Sequence, residues 1–167
     1  DFAERLVRAG IKLVAFDFDG VMVPVTAHQN ATRFRGGGQH PVSEGFLALA
    51  SVLPAVGIKM VIVTKNSEDT IQQVLRFGQP ASVTNDPRWA LLRGALKHVI
   101  GHCARGPGGL RVPGQGRKNG QLRLVSHLAK LEARRVGDPS FEAITAAQVL
   151  LIDDHKPNRT AWREVGG

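Results

Sequence analysis

Three short runs of aliphatic and β-branched residues recur along the chain, and polar residues follow each of them directly. The runs are "IKLVAF" at 11–16, "IKMVIV" at 58–63 and "VLLI" at 149–152. Each run is apolar at nearly every position, which is typical of a strand that is buried on both faces. Segments with helical spacing separate the runs. This alternation predicts an α/β fold in which a buried parallel sheet is flanked by helices.

Apolar residues recur at helical spacing in four segments between these runs. We predict helices over 43–53, 67–78, 87–101 and 120–135. In the first of them, Ser43 is a candidate N-cap and Pro54 should fray the last turn. Gly57 closes the connection to the next strand.

The length and composition of the chain fit one domain. With 167 residues, of which 43% are hydrophobic, the chain can bury one sizeable core. Two segments, at about 24–41 and 101–120, are rich in glycine and carry arginines. We therefore expect a single domain over 1–167 with loop insertions at these two places. Long loops of this kind in compact domains are either functional or mobile.

The charge of the chain is strongly positive, with a formal net charge of +8 at pH 7. No acidic residue lies between Asp86 and Glu132, and this stretch carries many lysines and arginines. Such a distribution favours an anionic partner. We expect nucleic acid or a phosphoprotein to bind through the basic loops.

Hydropathy and cysteine content bear on location. The longest apolar runs are far shorter than the roughly 18 residues that a membrane-spanning helix needs, so we expect no membrane partner. Cys103 is the only cysteine, which excludes an internal disulfide and favours a reducing compartment. We expect an intracellular, cytoplasmic protein.

Carboxylates gather where the predicted strands end. Asp17 and Asp19 follow the first run, and Asp153 and Asp154 follow the last. Thr64 follows the middle run. In an open parallel sheet, ligands bind beyond the carboxyl ends of the strands, so these side chains should meet at one edge. Carboxylates that close repel by roughly 4 kcal/mol at an effective dielectric of about 20, and a hard cation such as Mg²⁺ would offset this repulsion.

Four motifs in this order carry a family resemblance. They are "DFDG" after the first strand, "VIVTKN" in the middle, a lysine before a helix, and "LLIDDHKPNRTAWREVG" near the end. Together they resemble the haloacid dehalogenase (HAD) superfamily of phosphohydrolases over nearly the whole chain. The small insertion after the first motif is similar to that of small-cap members, such as the magnesium-dependent phosphatase-1 family. The resemblance implies a Rossmann-like, HAD-type parallel sheet with no large cap domain.

The resemblance also implies roles for individual residues. Asp17 would be the nucleophile that becomes an aspartyl phosphate, and Asp19 would be the general acid and base. Mg²⁺ would bind the Asp17 carboxylate, the main-chain carbonyl of Asp19 and Asp153, with Asp154 as a second candidate. The phosphate would be bound by Thr64, Lys65 and a third-motif lysine.

The third-motif lysine is assigned to Lys118, which precedes the predicted helix over 120–135. Lys97 and Lys130 are alternatives, but both lie within helical patterns. In relatives this lysine neutralises charge on the transferring phosphoryl group.

Several interpretations stay open at this point. Asp154 is either a metal ligand or a solvated neighbour of Asp153, and Asn158 either caps the last helix or supports the metal. The favoured function is a Mg²⁺-dependent phosphatase that acts on a phosphorylated substrate, in our expectation a macromolecule. The alternative is a catalytically weak or inactive HAD-fold module that engages RNA or a larger assembly.

Overall fold

The described part of the chain contains a four-stranded parallel sheet. The computed structural model describes residues 1–23, 42–64, 71, 86–96, 99–100 and 144–164. The strands are β1 (Leu13–Phe16), β2 (Lys59–Val63), β3 (Val99–Ile100) and β4 (Val149–Ile152). Their spatial order is β3-β2-β1-β4, and every pair is parallel. The predicted α/β fold is confirmed, and the three predicted strands are present.

The register of the sheet aligns the strand ends that carry the acidic residues. Phe16, the last residue of β1, lies opposite Ile62 of β2 and Ile152 of β4. The main-chain N–H of Asp17 then donates to the carbonyl of Ile152 at 2.8 Å. Asp17 and Asp153 are therefore the next residues of two adjacent strands, at the same edge of the sheet.

Four helices cover the two faces of this sheet in the described residues. They are α1 (Phe2–Arg8), α2 (Glu44–Val52), α3 (Pro87–Ala95) and α4 (Lys156–Glu164). Helices α1, α2 and α3 pack on one face, where the rings of Phe16 and Phe46 meet edge to face at 4.8 Å. Helix α4 packs on the other face through Trp162, whose indole N–H donates to the carbonyl of Val149 at 3.2 Å. None of the helices in these ranges is long and apolar enough to cross a bilayer.

Helix α2 begins and ends as its sequence predicts. The Ser43 hydroxyl accepts from the N–H of Phe46 at 3.3 Å, so Ser43 is the N-cap. The helix ends at Val52, and a 3₁₀ turn begins at Pro54. Gly57 follows with a φ of 78°, a left-handed conformation that glycine adopts at little cost.

Ser43 also closes the base of the first predicted insertion. Its N–H donates to the carbonyl of Met22 at 2.9 Å. Its hydroxyl donates to the carbonyl of Val21 at 3.2 Å. The two ends of the 24–41 segment are therefore adjacent, although that segment itself lies outside the described residues.

The predicted helix over 87–101 is wrong in its second half. Helix α3 ends at Ala95, and Leu96 leaves the helical region with φ −88° and ψ 58°. Val99 and Ile100 instead form β3, opposite Ile62 and Val63 of β2. Both residues are β-branched, which favours a strand over a helix. Pairing with β2 at the edge of the sheet also gives them backbone hydrogen bonds, so they form a strand although their spacing fits a helix.

Other predicted segments fall largely outside the described residues. Within the predicted helix over 67–78, only Ile71 is described, and it is helical and fully buried. The predicted helix over 120–135 and the insertion at 101–120 lie outside. Helix α1 was not predicted. Its Asp1 cap accepts from the N–H of Ala3 at 3.0 Å, and Ala3 and Leu6 are its buried residues.

Candidate functional site

Asp17 lies at the carboxyl end of β1 with only 7% of its surface exposed. Its Oδ1 accepts a hydrogen bond of 2.6 Å from the N–H of Phe18. The neighbouring main chain is tied to β4 by the bond to Ile152. The carboxylate is therefore oriented by these contacts at the end of an inner strand of the sheet.

The chain turns sharply after Asp17 and brings Asp19 to the same edge. The N–H groups of Met22 and Val23 both donate to the carbonyl of Phe18, each at 3.0 Å. Gly20 allows this turn with a φ of 73° and donates to the carbonyl of Val23 at 2.8 Å. Asp19 is half-buried, two residues beyond Asp17.

Asp153 is held by the first turn of α4. It is 5% exposed, and its Oδ1 accepts from the N–H of His155 at 2.8 Å. The side-chain amide of Asn158 donates to Oδ1 at 3.1 Å and to Oδ2 at 3.0 Å. Because Asn158 is inside α4 and buried, it supports Asp153, and the interpretation of Asn158 as a helix cap is wrong.

Asp154 lies beside Asp153 but is exposed. Its carboxylate packs against Gly20, since a Cβ built on Gly20 would lie 2.5 Å from Asp154 Oδ2. A side chain at position 20 would therefore displace Asp154. The first-motif turn and the last-motif turn are in direct contact at this point.

Three carboxylates at this edge of the sheet lie close enough together to bind one cation. Asp17, Asp153 and Asp154 each offer one oxygen, and these oxygens lie within 4.8 Å of one another. Oxygens that ligate Mg²⁺ at about 2.1 Å are roughly 3 to 4 Å apart, so small side-chain rotations would bring the three into range. The donor set consists of hard oxygens and fits Mg²⁺. Asp19 was expected to contribute its main-chain carbonyl, and its carboxylate is not part of this group.

The other predicted site residues are placed as follows. Thr64 is fully buried directly after β2, at the same edge of the sheet. Lys65 and Lys118 lie outside the described residues, as do the alternatives Lys97 and Lys130. Their roles stay predictions.

Arg159 was not singled out from the sequence. Its guanidinium group Nη1 donates to the main-chain carbonyl of Asp153, six residues earlier. In the sequence, only its place six residues after Asp153, at the start of the last helix, could have pointed to this contact. Which group it reaches depends on the fold of the turn between β4 and α4.

A charged bridge between α2 and α3 was also missed. Asp86 caps α3 by accepting from the N–H of Arg88 at 2.8 Å. The Arg88 guanidinium donates to Asp86 at 2.6 Å and to Glu44, in the first turn of α2, at 2.8 Å. The pKa of Asp86 is lowered, chiefly because the Arg88 side chain donates to its carboxylate. The same contacts raise the pKa of Arg88.

The chain is similar to solved structures, although neither a protein-family model nor a curated protein matches the sequence. One similar structure is the N-terminal part of the protein BF1531 from Bacteroides fragilis, which contains a phosphatase domain and is complexed with Mg. The TM-score is 0.56 at 13% identity, and the match covers 98% of this chain and 36% of that one. The chain thus spans about a third of the length of that structure.

A second similar structure is a HAD-superfamily hydrolase of subfamily IA, variant 1, from Geobacter sulfurreducens PCA. Its TM-score is 0.50 at 14% identity, with 94% of this chain and 84% of that chain covered. At such identities the likeness concerns the fold. The resemblance predicted from the four motifs is confirmed at that level.

Proposed function

We propose that this chain, which has the fold of HAD-superfamily hydrolases, is a Mg²⁺-dependent phosphatase that hydrolyses phosphoric monoesters. The observation that carries the proposal is the cluster of Asp17, Asp153 and Asp154, whose oxygens lie within 4.8 Å at the carboxyl edge of the sheet. Ligands of open parallel sheets bind at this edge. The Mg bound to the similar BF1531 structure further supports a cation here.

The cation is proposed to bind Asp17, Asp153, the main-chain carbonyl of Asp19 and, as a second carboxylate, Asp154. When bound, Mg²⁺ would neutralise these carboxylates and attract phosphoryl oxygens, which lets an anionic nucleophile approach an anionic phosphate. Asn158 and the N–H of His155 hold the Asp153 carboxylate, so little side-chain freedom is lost when a ligand binds.

The proposed reaction has two steps, and both pass through Asp17. In the first, a carboxylate oxygen of Asp17 attacks phosphorus, the bond from phosphorus to the ester oxygen breaks, and Asp19 donates a proton to that oxygen. In the second, Asp19 takes a proton from water, whose oxygen attacks phosphorus and releases Asp17 and inorganic phosphate. The hydrogen bond from Phe18 orients the Asp17 carboxylate for the first step.

Phosphate binding is assigned to three further side chains. Thr64 would donate its hydroxyl proton to a phosphoryl oxygen, and its position after β2 supports this role. Lys65 and Lys118 would supply positive charge to the transferring group.

The variant Asp17→Asn tests the proposal, because an amide keeps the volume and loses the nucleophilic charge. We expect phosphate release from a panel of phosphate monoesters in Mg²⁺ to fall to background, with the melting temperature retained. Glu164→Gln, a carboxylate-to-amide change at the end of α4, is the matched control and should keep full activity. Near wild-type turnover by Asp17→Asn would remove Asp17 from the nucleophile role. No turnover by the wild type would favour the binding-module alternative.

For the substrate, we propose a phosphorylated macromolecule, either nucleic acid or protein. The support is the net charge of +8 and the acid-free stretch between Asp86 and Glu132, which would raise the encounter rate with polyanions. The single Cys103 supports an intracellular, cytoplasmic location as part of the same proposal.

The test of this substrate class is kcat/KM against ionic strength for a phosphorylated oligonucleotide, a phosphopeptide and a small sugar phosphate. Steering by charge is screened over about 10 Å at 0.1 M salt, so kcat/KM should fall more steeply for the polyanion. Better turnover of the small substrate with the same salt dependence for all would contradict the proposal.

A further inference from the structure

Arg159 is the one half-buried arginine of α4, and it contacts the main chain at the candidate cation site. Its Nη1 donates to the carbonyl of Asp153, the first residue after β4. This carbonyl follows the last residue that pairs with β1. Arg159 therefore supplies a hydrogen bond to a polar main-chain group that lies beyond the strand pairing.

The carbonyl of Asp153 belongs to the peptide unit that joins Asp153 to Asp154. Because a peptide unit is planar, holding its carbonyl oxygen restrains ψ of Asp153, and with it the position of the main-chain N and Cα of Asp154. This angle sets where the main chain continues beyond Asp153, and so the point from which the Asp154 side chain leaves it. Rotation of this peptide would move Asp154 away from Gly20 and from the shared cluster.

We propose that Arg159 is a positioning residue for cation binding, an inference that rests on the proposed function. By holding the Asp153 carbonyl, it keeps the Asp154 carboxylate beside the carboxylates of Asp17 and Asp153. Asn158 and His155 hold the Asp153 side chain, but Arg159 holds the main chain. The two sets of contacts act on different bonds of the same turn.

Arg159 can affect the affinity for Mg²⁺ by orienting the ligands or through its positive charge, and the two effects have opposite signs. A guanidinium near the site repels a divalent cation, so its removal through charge alone would tighten binding, on the order of fourfold at about 10 Å in water. Loss of a group that orients ligands weakens metal binding by about 10- to 100-fold. The direction of the change therefore separates the two roles.

The experiment is calorimetric titration of the full chain with Mg²⁺, without any substrate. We expect Arg159→Gln to bind Mg²⁺ at least tenfold more weakly than the wild type. Arg163→Gln is the matched control, because Arg163 is exposed on the same helix, and its affinity should stay within about twofold of the wild type. Arg159→Lys keeps the charge but loses the planar fork, and its loss should be smaller than that of Arg159→Gln.

Thermal unfolding without Mg²⁺ shows whether each variant folds, and Arg159→Lys provides the measurement if Arg159→Gln does not. Unchanged or tighter binding in folded Arg159→Gln would overturn the inference, as would wild-type affinity in Arg159→Lys if that variant alone folds. Absence of Mg²⁺ binding by the wild type would instead overturn the proposed function, on which the inference depends.

Discussion

Asp154→Asn should stabilise the protein when no divalent cation is present. The variant keeps the volume of the side chain and removes one of three carboxylates whose oxygens lie within 4.8 Å of one another. Because Asp154 is exposed, a water-like dielectric applies, and each of its two repulsions at that distance is about 0.9 kcal/mol. Its favourable interaction with the N-terminus of α4 is about 0.3 to 1 kcal/mol and opposes this gain. The expected net rise in the free energy of unfolding is therefore about 1 kcal/mol.

The assay is urea unfolding of wild type and variant, once in a chelator and once in Mg²⁺. A ligand of the folded state at 100 times its dissociation constant adds about 2.7 kcal/mol, and the variant should gain less because it has lost a carboxylate. In Mg²⁺ the wild type should therefore be as stable as the variant or more stable than it. Glu164→Gln removes one negative charge outside the cluster and serves as the control. Its free energy of unfolding should differ from that of the wild type by the same amount in the chelator and in Mg²⁺. A variant no more stable than wild type in the chelator would refute the cluster geometry.

Two further predictions concern the left-handed turn at Gly20 and the ion pair between Arg88 and Asp86. Gly20→Ala should lower the free energy of unfolding by about 1 to 2 kcal/mol, since residue 20 has a φ of 73° and a Cβ there would meet Asp154. Gly45→Ala, inside a helix with open space around it, should instead raise stability by about 0.5 to 1 kcal/mol, and equal effects in urea unfolding would contradict the argument. Because Arg88 lowers the pKa of Asp86, that carboxylate adds stability above its ordinary pKa of 3.8, which is lost as the pH falls further. The stability difference between wild type and Arg88→Met should therefore shrink from pH 7 to pH 3, and a constant difference would count against the contact.

The parts of the fold that the sequence predicts are those governed by short-range patterns. The three apolar runs became strands because uniform apolarity and β-branching reflect burial directly. Ser43 and Gly57 acted as predicted because capping and left-handed turns depend on one residue and its neighbours. Since the strands are parallel, the meeting of Asp17 and Asp153 at one edge also followed from the order of elements alone.

The parts that the sequence does not predict depend on long-range contacts. Val99 and Ile100 fit a helical pattern, and only their pairing with β2 distinguishes a strand. The contact of Arg159 with Asp153 depends on where the turn ends and α4 begins. The bridge from Arg88 to Glu44 joins residues 44 positions apart, which no local pattern reveals.

The base that Ser43 forms with Val21 and Met22 has a consequence for how this protein can be altered. Val23 and Val42 bound the first predicted insertion, and two hydrogen bonds of Ser43 to Val21 and Met22 hold its two ends together, close to the turn at Gly20. Closing a flexible loop costs only about 0.6 kcal/mol more for each doubling of its length. With these two ends held together, a change in the length of the sequence between them should cost the core little stability.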